Sequence, residues 1–243
     1  MNTRGMLTEG LVIVMSILTA FAIDAWWDSY QEQRREYEIL EGLRADFHAS
    51  RPGLESRLDL ARRMASGTGD LLNLTREQQI PGPVNVPASL VLAVLGGPTY
   101  EPATNTLDSA VASGEIELLR DDELRAELAN WRRVLIDTGE DEREVRRITN
   151  EQLIPLLSRS LDLRSYFDAV LPWSGGDPYA AGRLIEDQSQ SMPNGSAVLL
   201  VDTEIVAALS MRKFYVEFAA ADLEELLASL DSSIALLDLE LER

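Results

Sequence analysis

The chain has 243 residues, 22 basic against 41 acidic, a formal charge of −19 and no cysteine. So acidic a chain disfavours nucleic acid and anionic lipid headgroups as partners, and the missing cysteine excludes disulfides, thiolate nucleophiles and Cys-ligated metals. The length suits one domain of ordinary size plus an anchor, with enough chain to bury a real core.

The first element is Leu11–Ile23, LVIVMSILTAFAI, with nothing more polar than Ser16 and Thr19. Extended from Met6 to Trp27 it would rise about 33 Å as a helix, enough for the hydrocarbon core of a bilayer. Arg4 flanks one end, and Trp26, Trp27 and Tyr30 stand at the other as an interfacial aromatic belt. The sequence therefore predicts a single transmembrane helix, with residues 1–30 as anchor, the lipid bilayer as partner and 31–243 as a helical domain. Two readings compete: a secretory signal peptide, with a cleavage site at Ala20-Phe21-Ala22, and a buried soluble helix. Glu9 argues against the first, standing where such a peptide carries positive charge, and the tandem tryptophans argue against the second. Arg4 favours a cytoplasmic N-terminus, while Arg34 and Arg35 pull the other way. The expectation is a single-pass protein of the bacterial inner membrane with a periplasmic body.

At 100° per residue Glu9, Ser16, Ala20 and Asp24 share a stripe about 80° wide. Small residues four apart, Ser16 and Ala20, allow close approach by another membrane helix. Glu9 and Asp24, near the two interfaces, are candidates for pairing with a donor on a partner subunit.

From Asp28 to about Ser50 nothing breaks the helix, and Leu40, Leu43 and Phe47 recur at helical spacing. Arg51-Pro52-Gly53 is expected to kink or end it. A second amphipathic segment follows, loosened by Ser66-Gly67-Thr68-Gly69. Residues 79–88, with prolines 81, 83 and 87, read as a connector. Ser89–Leu95 predicts a short apolar helix stopped by Gly96-Gly97-Pro98. Thr104 is expected to cap a helix ending at Ser113-Gly114. Asp121 is expected to cap a long helix with Leu124, Leu128, Trp131 and Leu135 inside, running past Gly139 to Pro155.

Residues 162–200 are irregular, rich in Pro and Gly. Beyond them Asp202 or Thr203 caps a final helix. Leu223, Leu227, Leu230, Ile234, Leu237 and Leu241 form a heptad stripe, read as packing within the chain or as coiled-coil contact with a partner. No strand-like alternation of useful length appears. The fold class is all-α: a membrane helix continuing into a long helix, plus an antiparallel helical-bundle domain.

Glu9-Gly10-Leu11-Val12, Ile17-Leu18, Ala20, Ile23-Asp24 and Trp27 make the opening similar to that of an uncharacterised family of single-span bacterial membrane proteins. A second likeness lies in Tyr100, Pro102, Thr106, Leu107, Ser113, Gly114, Leu118, Leu119, Asp121, Leu124 and Arg125. The resemblance covers about 5–160 and the final helix, and departs at 162–200. It implies membrane attachment and a helical architecture, and no activity.

Chemistry-bearing patterns are sparse. His48 is the only histidine, and without cysteine a metal site would need carboxylates alone. Gly67-Thr68-Gly69 and Ser174-Gly175-Gly176 lack the lysine of a phosphate-binding loop. Asp121-Asp122 and Glu140-Asp141 suit helix caps and solvated faces, and Asn194-Gly195-Ser196 is first a turn. No catalytic, cofactor or metal site is expected, and the chain is not read as an enzyme. The leading expectation is an accessory or scaffolding subunit among other membrane-protein subunits, in an energy-transducing respiratory or photosynthetic assembly. An extracytoplasmic helical sensor and a self-associating structural protein are the alternatives.

Overall fold

An unbroken helix, α1, runs from Thr3 to Arg76 through both places where the sequence predicts interruption. The computed structural model describes residues 3–76, 81–97, 100–173 and 195–242, with α1 side chains from Val14 onward. Pro52 sits inside α1 and removes one backbone donor, which ordinarily costs a helix interior about 3 kcal/mol. The helix survives because apolar burial continues on both sides of the proline, at Phe47, Leu54, Leu58 and Ala61. Arg51 also pins that turn, paired with Asp231 at 2.7 Å and Glu55 at 2.6 Å.

The glycines of 66–69 are likewise helical, and they serve close packing rather than a break. A Cβ built on Gly67 would lie 2.7 Å from the Ala93 Cβ of the next helix. That helix, α2, spans Ala88–Leu95. It is followed by α3 (Asn105–Ser113), a tight turn of helix at Glu115–Leu118, α4 (Asp122–Arg147), a widened π-helical segment at Ile148–Leu153, α5 (Ile154–Ser160), α6 (Leu163–Trp173) and α7 (Thr203–Leu241).

Local caps follow the sequence closely. The Asp121 carboxylate accepts from the Leu124 N–H at 2.8 Å and Asp202 from Ile205 at 2.9 Å, each satisfying a donor at a helix start. Gly114 ends α3 at φ +78°, where a side chain would be strained. Thr104 occupies the position before α3, but its side chain makes no capping bond.

The absence of strands is corrected. Gly82–Pro87 (β1) pairs antiparallel with Ser196–Val201 (β2), in register from Gly82 opposite Val201 to Pro87 opposite Ser196. Part of the 79–88 connector is thus β1. Residues alternate inward, Val84 and Val86 on one strand, Ala197, Leu199 and Val201 on the other. Pro83 and Pro87 are tolerated because β1, which carries them, is an edge strand.

By packing the chain divides into two units. Unit 1 comprises 1–46, 104–126 and 234–243; unit 2 comprises 47–103 and 127–233. In unit 2 the β-pair lies on a core of Leu71, Leu72, Val91, Leu153, Leu157 and Leu209. As α1 advances from Arg51 to Arg62, its ion-pair partners on α7 retreat from Asp231 to Glu224, so the helices run antiparallel there. On α4 Asn130 and Arg133 meet Ser229 and Glu225 of α7 in the same sense. The Phe47 and Trp131 rings sit 4.8 Å apart between α1 and α4.

Arg212 on α7 is wholly enclosed in unit 2. Its guanidinium donates to Thr149 Oγ1 at 2.8 Å and to the carbonyls of Ala93 and Gly96 at 3.2 and 2.5 Å. It thereby satisfies the orphan carbonyls ending α2 and ties them to the π-helical segment. Burial lowers its pKa to about 10.

In unit 1 α3 and the turn after it are held against α1 by polar contacts. Arg35 makes a two-pronged contact with Glu115 at 2.7 and 2.9 Å. Glu36 accepts from the Arg120 N–H at 2.9 Å and Asp46 from the Thr106 N–H at 3.0 Å.

The transmembrane expectation is overturned. Among the described residues no helix is long and apolar enough to cross a membrane, so a single-pass inner-membrane protein with a periplasmic body is not supported. Beyond Ile23 the helix carries Asp24, Asp28, Glu32, Arg34 and Arg35, and these charges end its apolar stretch. The coarser expectation stands: the fold is mostly helical and bundle-like. In the heptad stripe Leu223, Leu230 and Leu237 are enclosed by the chain itself, together with Leu226.

Candidate interaction surface

The surface is built on α1 within unit 1. Helical periodicity ordinarily separates an apolar face from a polar one, yet residues 14–23 of α1 are apolar nearly all round. Every described side chain from Val14 to Arg35 is exposed. Phe21 is 67% exposed and Trp26 65%, values foreign to such side chains in a finished core.

The run ends in an aromatic cluster. Trp26 stacks on Tyr30 with centroids 6.1 Å apart, and Trp27 lies 6.4 Å from Trp26 and 5.9 Å from Tyr30. Spacing of three and four places Tyr30 one turn beyond both tryptophans, so the rings form one ridge. Beside it opens a shallow groove of about 480 Å³ lined by Trp27, Tyr30, Arg34, Arg35, Glu38 and Leu118. Its polar wall is rigidified by paired charges: Arg34 with Glu38 at 3.2 Å, and Arg35 with Glu38 and Glu115. The Glu115 carboxyl is held below its ordinary range, first by its hydrogen bond from Arg35. It therefore stays ionised.

Of the predicted stripe, Ser16, Ala20 and Asp24 are exposed on α1, and Glu9 lies outside the residues whose side chains are described. Trp26, Trp27 and Tyr30 come together as a cluster. Sequence reasoning missed the groove beside them. The Arg34–Glu38 spacing was visible, but Glu115 and Leu118 arrive from distant chain and carry no local signal.

Two carboxyls of unit 2, Glu142 and Asp222, depart from ordinary carboxylate behaviour. Glu142 of α4 is buried in unit 2; its Oε2 accepts from the Tyr100 N–H at 3.3 Å, while its Oε1 has no partner. Desolvation raises its pKa to about 7, against the hydrogen bond from Tyr100 and the cations Arg146 and Arg57, with Glu101 pushing the same way as burial. Arg146 stands 3.9 Å away, too far for a hydrogen bond. Asp222 shares a hydrogen bond with Asp141 and is raised to about 6, desolvation first and Asp141 second. His48 is exposed. Among the described residues no group of three or more His, Asp or Glu is placed to hold a metal ion. Gly67-Thr68-Gly69 is interior helix, while 174–176 and Asn194 lie outside the described residues.

No family model, curated protein or solved structure matches the chain.

Proposed function

We propose that the protein is a non-catalytic scaffolding subunit of a larger protein assembly, joined through the α1 surface from Val14 to Arg35. The observation that carries this reading is the exposure of Val14, Met15, Ile17, Leu18, Phe21 and Ile23 on one helix, continued by Trp26, Trp27 and Tyr30. Covering each large apolar side chain contributes about 1.5–3 kcal/mol, so a partner enclosing this helix gains strongly. Tryptophan, tyrosine and arginine side by side match the composition of interface hot spots.

The partner is a different protein rather than a second copy. Each copy carries a charge of −19, so self-association brings two strongly acidic bodies together. The complementary surface is an apolar cleft between helices, edged with lysine and arginine.

The test compares the tagged full-length chain with its Trp26→Ala/Trp27→Ala variant, both expressed in the native cell. Size-exclusion chromatography with light scattering is expected to show a stoichiometric complex for the parent and a lone chain for the variant, with unchanged far-UV circular dichroism. Elution of the parent as a monomer overturns the proposal. A homodimer overturns the choice of partner.

A further inference from the structure

A second apolar surface lies in unit 2, away from the α1 ridge in sequence and different in kind. Leu92 and Leu95 of α2, Leu157 of α5, and Leu163, Tyr166 and Phe167 on α6 line a cleft of about 320 Å³. That volume lies at the low end for small-molecule pockets and is too small for a helix. The lining includes no charged side chain. Ser158 supplies one hydroxyl at the wall, and it already donates to the Pro155 carbonyl at 3.0 Å.

Tyr166 is the exception to this apolar lining. Its side chain is buried to 5% exposure, and no hydrogen bond reaches its hydroxyl among the described residues. Burial alone pushes the phenol up to about 12, so it is a neutral donor at any physiological pH. At the wall of an apolar cleft this hydroxyl is a donor placed to meet an acceptor on a bound molecule. The cleft is also bordered by Ile154, next to the π-helical segment at Ile148–Leu153. Such segments widen a helix and recur at ligand sites.

We propose that this cleft is a binding site for an uncharged, aliphatic molecule of about ten carbons bearing one acceptor oxygen, which the Tyr166 hydroxyl engages. The absence of a charged wall selects against an ion: a carboxylate in this cleft would lose its hydration without gaining a counter-ion. The acidic chain adds long-range repulsion against anions. Volume selects against larger ligands, and the leucine walls against polar ones.

The test is isothermal titration of the full-length chain with 1-decanol and, separately, with decanoate at pH 8. Saturable one-to-one binding of 1-decanol is expected, with decanoate at least tenfold weaker. Tyr166→Phe is expected to weaken 1-decanol about fivefold, the worth of one neutral hydrogen bond. The same variant without ligand should keep its melting temperature, since no internal hydrogen bond is lost. Leu163→Trp, at the partly exposed rim, is expected to abolish binding while leaving circular dichroism unchanged. No saturable binding of 1-decanol, equal affinity for decanoate, or full affinity in Leu163→Trp overturns the proposal.

Discussion

At the scale of single residues, unit 2 is governed by how closely its parts approach and by what they enclose. Gly67 brings α1 against α2, and a Cβ there would lie 2.7 Å from that of Ala93. Neither backbone can yield without moving a helix. Gly67→Ala is expected to lower stability by about 1–3 kcal/mol despite alanine's better helix propensity, as read from the chemical-denaturation midpoint. Glu142 poses the opposite problem, a carboxyl enclosed with one oxygen unpartnered. Its folded pKa of about 7 stands above the ordinary 4.5, so the folded state binds the proton more tightly. The cost of burying the anion is absent below about pH 4.5, grows between the two values, and is complete above about pH 7. Glu142→Gln keeps an acceptor for the Tyr100 N–H and cannot ionise. It is expected to stabilise the protein at pH 8 by on the order of 2–3 kcal/mol and to change little at pH 4. Equal effects at both pH values would show that the carboxyl titrates normally in the fold.

At the scale of elements, α1 is the instructive case. Pro52 is exposed, and the helix runs through it on the strength of the buried residues either side. Pro52→Ala restores the N–H that donates to the His48 carbonyl and is expected to raise stability by about 1–3 kcal/mol, measured by thermal unfolding. The comparison shows what a sequence carries in plain sight. Asp121 with Leu124, Asp202 with Ile205 and the left-handed Gly114 are local signals spanning three or four residues, and they are legible. The β-pair is not, because Pro83 and Pro87 mask β1 and its partner β2 lies beyond the whole of α2–α6. Arg212 is equally silent, since the carbonyls that hold it end α2 and its hydroxyl partner sits in the π-helical segment. The aromatic cluster of Trp26, Trp27 and Tyr30 was legible from composition, and the membrane span inferred from the same stretch was not sustained. Hydropathy reports what a segment prefers to touch, whereas its surroundings depend on what packs against it.

For the whole molecule the dominant quantity is charge. Forty-one acidic residues against 22 basic ones leave −19 to be confined in one fold, and many of the basic ones are already committed to surface ion pairs. Each such pair contributes little by itself, but together they lessen self-repulsion that would otherwise oppose compaction. Two carboxyls, Glu142 and Asp222, already lean toward the protonated form, to about 7 and about 6. Both shifts have one sign: stability falls as pH rises through that range, and rises as pH is lowered from 8 toward 6. Salt should act in the same direction, because raising ionic strength from about 0.01 M to about 0.15 M shortens the screening length from about 30 Å to about 8 Å. That range screens repulsion between distant carboxylates while sparing contacts at hydrogen-bond distance. The unfolding midpoint is therefore expected to climb with sodium chloride at pH 8, and to climb less at pH 6, where part of the repulsion has been titrated away. In Glu142→Gln the salt response should persist while the pH response shrinks, which separates the general field from the single buried acid. A midpoint that falls with salt at pH 8 would mean that the ion pairs outweigh the repulsion.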